Sequence, residues 1–251
     1  MDLTFVDCNC IIGRRADRRP TEPWSVEQLL GDMSYYGIRE ALVTHAQSRD
    51  YDPRTGNMEL IRQLANNPML HPCWAVLPPA SQEIPPAKEF VDEMMANGVA
   101  SAVAYPHTHN FSLSHWSVGS LLTSLQHRRI PLMLPFNQTT WDEVERICRT
   151  FPELPCIITD VNYRQLRFLL PLWETLTNLF VDLSWFSVHD GLAFLAEQGH
   201  LGQLLFGTHY PVYQPSAAVT MVTYANIPSA QKKQVAGATL SELIRNIRRT
   251  L

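Results

Sequence analysis

Residues 131–160 have the sequence PLMLPFNQTTWDEVERICRTFPELPCIITD and contain one complete strand–helix–strand unit. The apolar runs at 131–136 and 155–160 are typical of strands that are buried on both faces. Between them, Thr140 followed by Glu143 matches a capping box, which predicts a helix over 141–150. Successive strands joined by a helix are usually parallel neighbours, so this stretch predicts a parallel α/β fold.

The same alternation extends outward along the chain. Apolar runs predict eight strands, at 3–8, 40–45, 71–77, 99–105, 131–136, 155–160, 178–184 and 203–208. Helical patterns fall at 26–37, 57–66, 87–97, 114–128, 141–150, 163–176, 189–199, 214–225 and 230–249. Eight repeats in 251 residues match the usual size of a (β/α)₈ TIM barrel. We therefore predict a single-domain TIM barrel over residues 1–251, with an open doubly wound sheet as the alternative.

The composition limits the classes of function. Hydrophobic residues make up 45% of the chain, charged residues 18%, and the net charge is −4, which argues against disorder and against nucleic-acid binding. No apolar run approaches the roughly 20 residues of a membrane helix, and the N-terminus lacks a signal-peptide pattern. Five Cys without a CxxC pair are typical of reduced thiols. We therefore predict a cytoplasmic protein without nucleic-acid or membrane partners, and leave a homo-oligomer open.

The basic residues point to the class of ligand. The chain has 17 Arg and only three Lys. Arg presents a planar, always-charged fork that suits carboxylates and phosphates, whereas Lys is the residue that forms Schiff bases. We therefore predict a small anionic molecule as the ligand.

Candidate site residues follow from the predicted barrel, because TIM-barrel active sites lie at the C-terminal ends of the strands. His titrates near neutrality and can transfer protons. We predict His209 as the general base, Asp160 as its partner and His45 as a further catalytic residue. The predicted substrate contacts are Asn9, Asp7, Arg49, His107, Asn137, Tyr163, Arg164 and Tyr210. For each residue, a structural role in the barrel or its loops is the alternative.

Strand one also carries an orientation prediction. Asp7 and Asn9 lie two positions apart in the sequence FVDCNCIIG. Alternate residues of a strand point to the same face of a sheet, so we expect both side chains to face the same side.

Two motifs, FVDCNCIIG at 5–13 and LFGTHYP at 205–211, resemble those of a known family. Together with the eight-strand spacing, they resemble the amidohydrolase superfamily, in the branch called amidohydrolase 2 or predicted metal-dependent hydrolases. The resemblance covers essentially the whole chain. It implies a TIM barrel with hydrolase activity and a divalent metal ion, in a superfamily that also includes lactonases and decarboxylases.

The expected metal ligands are substituted in this sequence. The two strand-one His positions correspond to Asn9 and Ile11, and the strand-five position to Pro135 or Asn137. The strand-six His falls near Asp160, and the strand-eight Asp is His209. Because a catalytic zinc takes three protein ligands, we predict a degenerate metal site and no cofactor. The alternative is a metal site rebuilt from Asp160 and His209 with His107 or His109.

The function predicted from these residues is hydrolysis, or a related proton transfer, on a small carboxylate-type substrate without the usual metal. One alternative is an inactive barrel that acts as a binding or scaffold protein. Lactonase, lyase and metal-dependent hydrolase activities are the others. An open cavity lined by His45, Asp160 and His209 would favour an enzyme.

Overall fold

The structure, a computed structural model, describes residues 3–249. The strands of this part of the chain are β1 (Phe5–Ile12), β2 (Ile38–His45), β3 (Leu70–Val76), β4 (Ser101–Ala104), β5 (Leu132–Pro135), β6 (Cys156–Thr159), β7 (Leu179–Asp182) and β8 (Leu204–Leu205). Its α-helices are α1 (Val26–Tyr36), α2 (Ala46–Asp50), α3 (Pro53–Leu64), α4 (Ala87–Ala96), α5 (His115–Arg128), α6 (Trp141–Thr150), α7 (Leu166–Trp173), α8 (Gly191–Glu197), α9 (Ser216–Tyr224), α10 (Ser229–Lys233) and α11 (Thr239–Arg245). None of the helices in residues 3–249 has the length and apolar character needed to cross a bilayer.

The strands form one sheet in which each pairs in parallel with the next, in the order β1 to β8. Main-chain bonds bring its two edges together, because Cys8 donates to the Phe206 carbonyl at 2.9 Å and Ile11 to the Tyr210 carbonyl at 2.8 Å. The sheet is therefore a nearly closed barrel whose strands alternate with helices. This confirms the predicted (β/α)₈ TIM barrel.

The helix starts follow the capping chemistry of the sequence. Ser25 accepts a hydrogen bond from the Gln28 amide, and the Gln28 side chain accepts one in return from the Ser25 amide. Thr140 and Glu143 form the same reciprocal pair at the start of α6. These boxes satisfy main-chain donors that a helix leaves free at its first turn, and the box at α6 was predicted from the sequence.

Several predicted boundaries were wrong. The strand predicted at 203–208 ends at Leu205, because beyond it the Phe206 amide donates to the Val235 carbonyl and the Thr208 amide to the Asp7 side chain. The helix predicted at 57–66 begins at Pro53, where the preceding Asp52 caps it.

The last predicted helix, 230–249, is divided into α10, a π-helical turn at Gln234–Ala238, and α11. At this turn the chain packs closely on β1, because a Cβ at Gly237 would lie 2.7 Å from Val6 Cγ2. The contact explains why a glycine stands in the middle of an otherwise helical segment.

Candidate active site

A cavity of about 470 Å³ opens at the C-terminal ends of the strands. Its lower wall is formed by side chains that point into the barrel from β1, β2, β4, β5 and β6, which are Asn9, Ile11, Thr44, Val103, Met133 and Thr159. Its upper wall comes from the segments that follow the strands, and includes Arg15, Arg49, Asn137, Trp185, His209 and Tyr213. The cavity therefore combines a floor of mixed polar and apolar side chains with a charged rim.

A bulge in β1 decides which of its side chains reach this cavity. Asp7 pairs with Ala41 and Cys10 with Val43, so β1 holds one more residue than β2 over the same length. Such an extra residue changes which face later side chains occupy. Asn9 lines the cavity, whereas Asp7 does not. The expectation that Asp7 and Asn9 face the same side was wrong.

Asp7 instead ties β1 to the segment that follows β8. Its carboxylate accepts hydrogen bonds from Thr208 Oγ1 at 2.6 Å, the Thr208 amide at 3.1 Å and the Asn9 amide at 3.0 Å. The side chain has no exposed surface, and burial raises its pKa. Asp7 thus holds Thr208 beside His209, which is a structural contribution outside the cavity.

The centre of the site is a hydrogen bond between His209 Nδ1 and an Asp160 carboxylate oxygen. Both residues follow strands and have positive φ angles, 54° for His209 and 63° for Asp160. Non-glycine residues rarely adopt this region, and such conformations concentrate at functional sites. The same Asp160 oxygen also accepts from Ser184 Oγ at 3.4 Å and Asn9 Nδ2 at 3.5 Å. Two predicted residues, one from each of two strand ends, therefore come together.

Asp182, at the end of β7, completes this group and was missed by the sequence analysis. One of its oxygens accepts from the Asp160 amide at 3.0 Å, and the other from Asn9 Nδ2 at 3.1 Å. Asp182 has no exposed surface. Burial, and then the neighbouring Asp160 carboxylate, raise the pKa of Asp182 to about 7. The sequence signal that could have identified it is a charged residue inside the apolar run NLFVDLS at 178–184.

The protonation of His209 follows from these neighbours. Burial alone disfavours the imidazolium, but the hydrogen bond and charge of Asp160, together with the charge of Asp182, outweigh it. The pKa of His209 is therefore raised. Asp160 engages Nδ1, which leaves Nε2 as the ring nitrogen for a ligand. The arrangement can hold a proton and exchange it with a bound molecule.

The predicted Arg49 lines the rim, where it is already paired. Its Nε donates to Asp50 at 2.6 Å and its Nη2 contacts Asp17 at 3.4 Å. Burial opposes the charged form of Arg49, but its bond to Asp50 outweighs this effect and raises the pKa. Arg15, from the loop after β1, also reaches the cavity and shares Asp17 with Arg49.

His45 faces the helix layer, contrary to the position expected for a catalytic residue. Its Nδ1 accepts from the Gln47 amide at 3.2 Å and its Nε2 lies 3.4 Å from the Gln63 side chain of α3. The neighbouring Thr44 is the residue of β2 that points into the cavity, because adjacent strand residues face opposite sides. Burial lowers the pKa of His45. His45 therefore caps α2 and is left out of the site.

The remaining predicted contacts divide between the cavity and its surroundings. Asn137 lines the cavity. Tyr210 is buried beside α1, and Tyr163 and Arg164 lie in a 3₁₀ turn, Tyr163–Gln165, away from the lining. His107 also lies outside the lining and bonds to the Asn137 carbonyl at 2.9 Å. We therefore leave these four outside the candidate site.

The donor set was then compared with the divalent metal that the sequence resemblance implies. Ile11 and Pro135 line the cavity at expected ligand positions, and neither side chain carries a donor atom. His109, offered for a rebuilt site, bonds through Nε2 to the Arg49 carbonyl at 3.0 Å and does not line the cavity. Within residues 3–249, no three His, Cys, Asp or Glu side chains are grouped closely enough to hold an ion. The residues present do not fit a catalytic metal site of the expected kind.

Known proteins match this chain in fold and not in sequence. Neither a protein-family model nor a curated protein sequence matches it. Among solved structures, 5-carboxyvanillate decarboxylase of Sphingomonas paucimobilis is similar, with a TM-score of 0.76 at 14% identity over 97% of this chain and 99% of that one. A dihydroxybenzoic acid decarboxylase of Polaromonas, solved with manganese and the inhibitor 2-nitroresorcinol, has a TM-score of 0.74 at 12% identity over 97% of each chain.

A third solved structure carries the amidohydrolase name. It is described as an amidohydrolase II, and it has a TM-score of 0.68 at 11% identity over 96% of this chain and 100% of that one. These similarities extend over nearly the full length of each protein. The sequence identities are low, so the similarity is one of fold. The TIM-barrel fold that the sequence resemblance implies is therefore confirmed, and one of the proteins that share it carries the amidohydrolase name.

Proposed function

We propose that this protein is an enzyme that acts on a small carboxylate substrate by proton transfer through His209, without a divalent metal ion. The observation that carries the proposal is the hydrogen bond between His209 and Asp160 in an open cavity at the C-terminal ends of the strands. Burial, a charged partner and a shifted pKa in one cleft are the usual marks of a proton-transfer site.

Decarboxylation is the reaction that the raised pKa of His209 supports best. In this step the bond between the substrate carbon and its carboxylate breaks and carbon dioxide leaves. The electron pair that remains on the carbon then takes the proton from Nε2 of the His209 imidazolium, and water returns a proton to the neutral ring. Asp160 keeps the ring oriented and stabilises its charged form. The decarboxylase names of two structural neighbours support the same reaction class.

Hydrolysis is the second candidate, because the same residues can act in the opposite direction. His209 in its neutral form would take a proton from a water molecule that attacks the substrate. The position of His209 supports this candidate, since the sequence resemblance places the catalytic base there in LFGTHYP. The two candidates differ in pH dependence, because decarboxylation requires the charged ring and hydrolysis the neutral one.

An open cavity favours an enzyme over a scaffold. Asp160 and His209 line about 470 Å³ of space together with apolar and aromatic side chains. Concave sites with a few convergent polar groups are typical of small-molecule binding.

The proposal is tested by incubating the protein with aromatic and aliphatic carboxylates, including 5-carboxyvanillate and 2,6-dihydroxybenzoate. Turnover is measured as the carbon dioxide released and as the product separated by chromatography. We expect His209→Asn to lower the rate by about 10²- to 10⁴-fold, as for loss of a general acid or base. His189→Asn is the matched control, because the His189 side chain is 97% exposed. Full activity of His209→Asn would contradict the proposal.

A further inference from the structure

Arg15 is a buried guanidinium on the wall of the cavity. It lies in the loop after β1, and only 6% of its side chain is exposed. One edge of the group is occupied, since Nε and Nη2 donate to Asp17 at 3.3 and 2.9 Å and Nε lies 3.4 Å from Glu22. Arg15 is therefore held in place by two carboxylates.

The opposite edge of the guanidinium carries an unpaired donor. Arg15 Nη1 is buried and has no hydrogen-bond partner among residues 3–249. Buried polar groups in folded proteins are nearly always hydrogen-bonded, and the demand is greatest for a charged donor. A rigidly held, buried and unpaired cationic donor on a cavity wall is the arrangement expected of an anion-binding group.

Arg15 is also close enough to act on the proton-transfer residue. Its positive charge lowers the pKa of His209, against the larger opposing effect of Asp160. Both side chains line the same cavity. An anion bound to Nη1 would therefore share this cavity with His209.

Arg49 is less suited to this task than Arg15. Its side chain is 23% exposed, and it donates twice to Asp50, from Nε at 2.6 Å and from Nη2 at 3.2 Å. A guanidinium that is already matched by a carboxylate gains little from a second anion.

We propose that Arg15 Nη1 donates to the carboxylate of the substrate and so holds it beside His209. The inference rests on the proposed function for the class of ligand, a small carboxylate. It adds a substrate-binding residue that was not among the contacts predicted from the sequence. Because the contact forms when the substrate binds, its loss should weaken binding and raise KM more than it lowers kcat.

The test compares a carboxylate with the same ring after loss of the carboxylate. Binding of 2,6-dihydroxybenzoate and of resorcinol is measured by calorimetry for the natural protein, Arg15→Met and Arg15→Lys. We expect both variants to weaken binding of 2,6-dihydroxybenzoate by about tenfold or more and to leave resorcinol within about twofold. Arg14→Met is the matched control, because Arg14 packs over the Trp24 ring at 4.6 Å and does not line the cavity.

A second measurement guards against a folding defect. Arg15→Met leaves the buried Glu22 without its cation, whereas Arg15→Lys keeps the positive charge. In either variant, a loss of folded protein leaves the ratio of the affinities for 2,6-dihydroxybenzoate and resorcinol unchanged. A crystal structure with 2,6-dihydroxybenzoate should place a carboxylate oxygen at about 3 Å from Arg15 Nη1.

Two results would overturn the inference. The first is an Arg15→Lys variant whose ratio of affinities for 2,6-dihydroxybenzoate and resorcinol equals that of the natural protein, and the second is a carboxylate bound elsewhere in the cavity. Either result would exclude Arg15 as the carboxylate-binding residue without contradicting the proposed function. Failure of the natural protein to bind 2,6-dihydroxybenzoate, benzoate or acetate at millimolar concentration would overturn both.

Discussion

Asp182 shows how one buried carboxyl group sets the protonation of the site. It is fully buried between the Asp160 amide and the Asn9 side chain, and its pKa is raised from 3.8 to about 7. A group that binds its proton more tightly in the folded state makes the protein less stable as pH rises through that range. The natural protein should therefore lose stability from Asp182 between about pH 4 and about pH 8.

The variant Asp182→Asn removes this titration. We expect its free energy of unfolding, relative to the natural protein, to increase as the pH rises from about 5 to about 8, because the variant has no carboxyl group to ionise. Denaturant unfolding at several pH values measures the difference. Asp190→Asn, whose side chain is 70% exposed, is the control for the substitution itself. A flat difference for Asp182→Asn would contradict the raised pKa.

The Asp182 carboxyl group also restricts position 207 to glycine, because it lies too close for a Cβ atom. A Cβ at this position would lie 2.7 Å from Asp182 Oδ2 and 3.0 Å from Cys8 Sγ. Cys8 is buried, and burial raises the pKa of its thiol well above the usual range. Two buried groups therefore leave no room for a methyl group.

We expect Gly207→Ala to destabilise the protein by about 1–3 kcal/mol through overpacking and to disturb the bond between Asp182 and Asn9. Gly31→Ala is the control, because Gly31 is exposed within α1 and its Cβ would contact nothing within 4 Å. That change should stabilise the helix by about 0.5–1 kcal/mol. Thermal and denaturant unfolding measure both effects, and equal stability of the two variants would contradict the packing described here.

At the scale of elements, Asn57 joins α3 to β3. Its Nδ2 donates to the Ala75 carbonyl at 2.8 Å, and its Oδ1 accepts from the Ala75 amide at 2.9 Å. The side chain is 2% exposed. It thus supplies both hydrogen bonds that the main chain of Ala75 would otherwise lack beside the helix.

We expect Asn57→Ala to lower the free energy of unfolding by about 2 kcal/mol, because it leaves a buried donor and a buried acceptor unpaired. Asn66→Ala, at an exposed position of the loop after α3, should change it by less than about 0.5 kcal/mol. Urea unfolding of the two variants tests the difference. A loss as small as that of the control would show that the bridge between α3 and β3 is not needed.

The elements also show where the sequence was sufficient and where it was not. A capping box was enough to predict the start of α6, because the chemistry of a helix start is local. The orientation of β1 was not local, since its bulge depends on pairing with β2. For that reason Asp7 and Asn9 were expected on one face and are found on two. The prediction for His45 was wrong for a related reason. Adjacent residues of β2 face opposite sides, so Thr44 lines the cavity and His45 faces the helix layer.

At the scale of the whole molecule, the alternation of strand and helix was enough to predict the barrel. The rule that function lies at the strand ends then placed Asn9, Asp160 and His209 at one cavity. Asp182 escaped prediction, because its importance comes from burial and from neighbours that only the folded chain supplies. The sequence pattern was thus enough to predict the position of the candidate site. Which of its charged groups are paired depends on the packing of the folded chain.

The whole barrel shares its fold with two decarboxylases, while its strand ends lack the metal ligands that the sequence resemblance implies. Ile11 and Pro135 stand where the resemblance places metal ligands, and the His209–Asp160 pair lies at the centre of the cavity. The central claim is that this pair transfers the proton without help from a metal ion.

The most direct measurement of that claim is the rate of carboxylate turnover by protein treated with a chelator and shown by elemental analysis to be free of divalent metal. We expect a rate within about twofold of the untreated protein, since the His209–Asp160 pair supplies the proton. Loss of turnover on chelation, with recovery when manganese or zinc is added back, would contradict it.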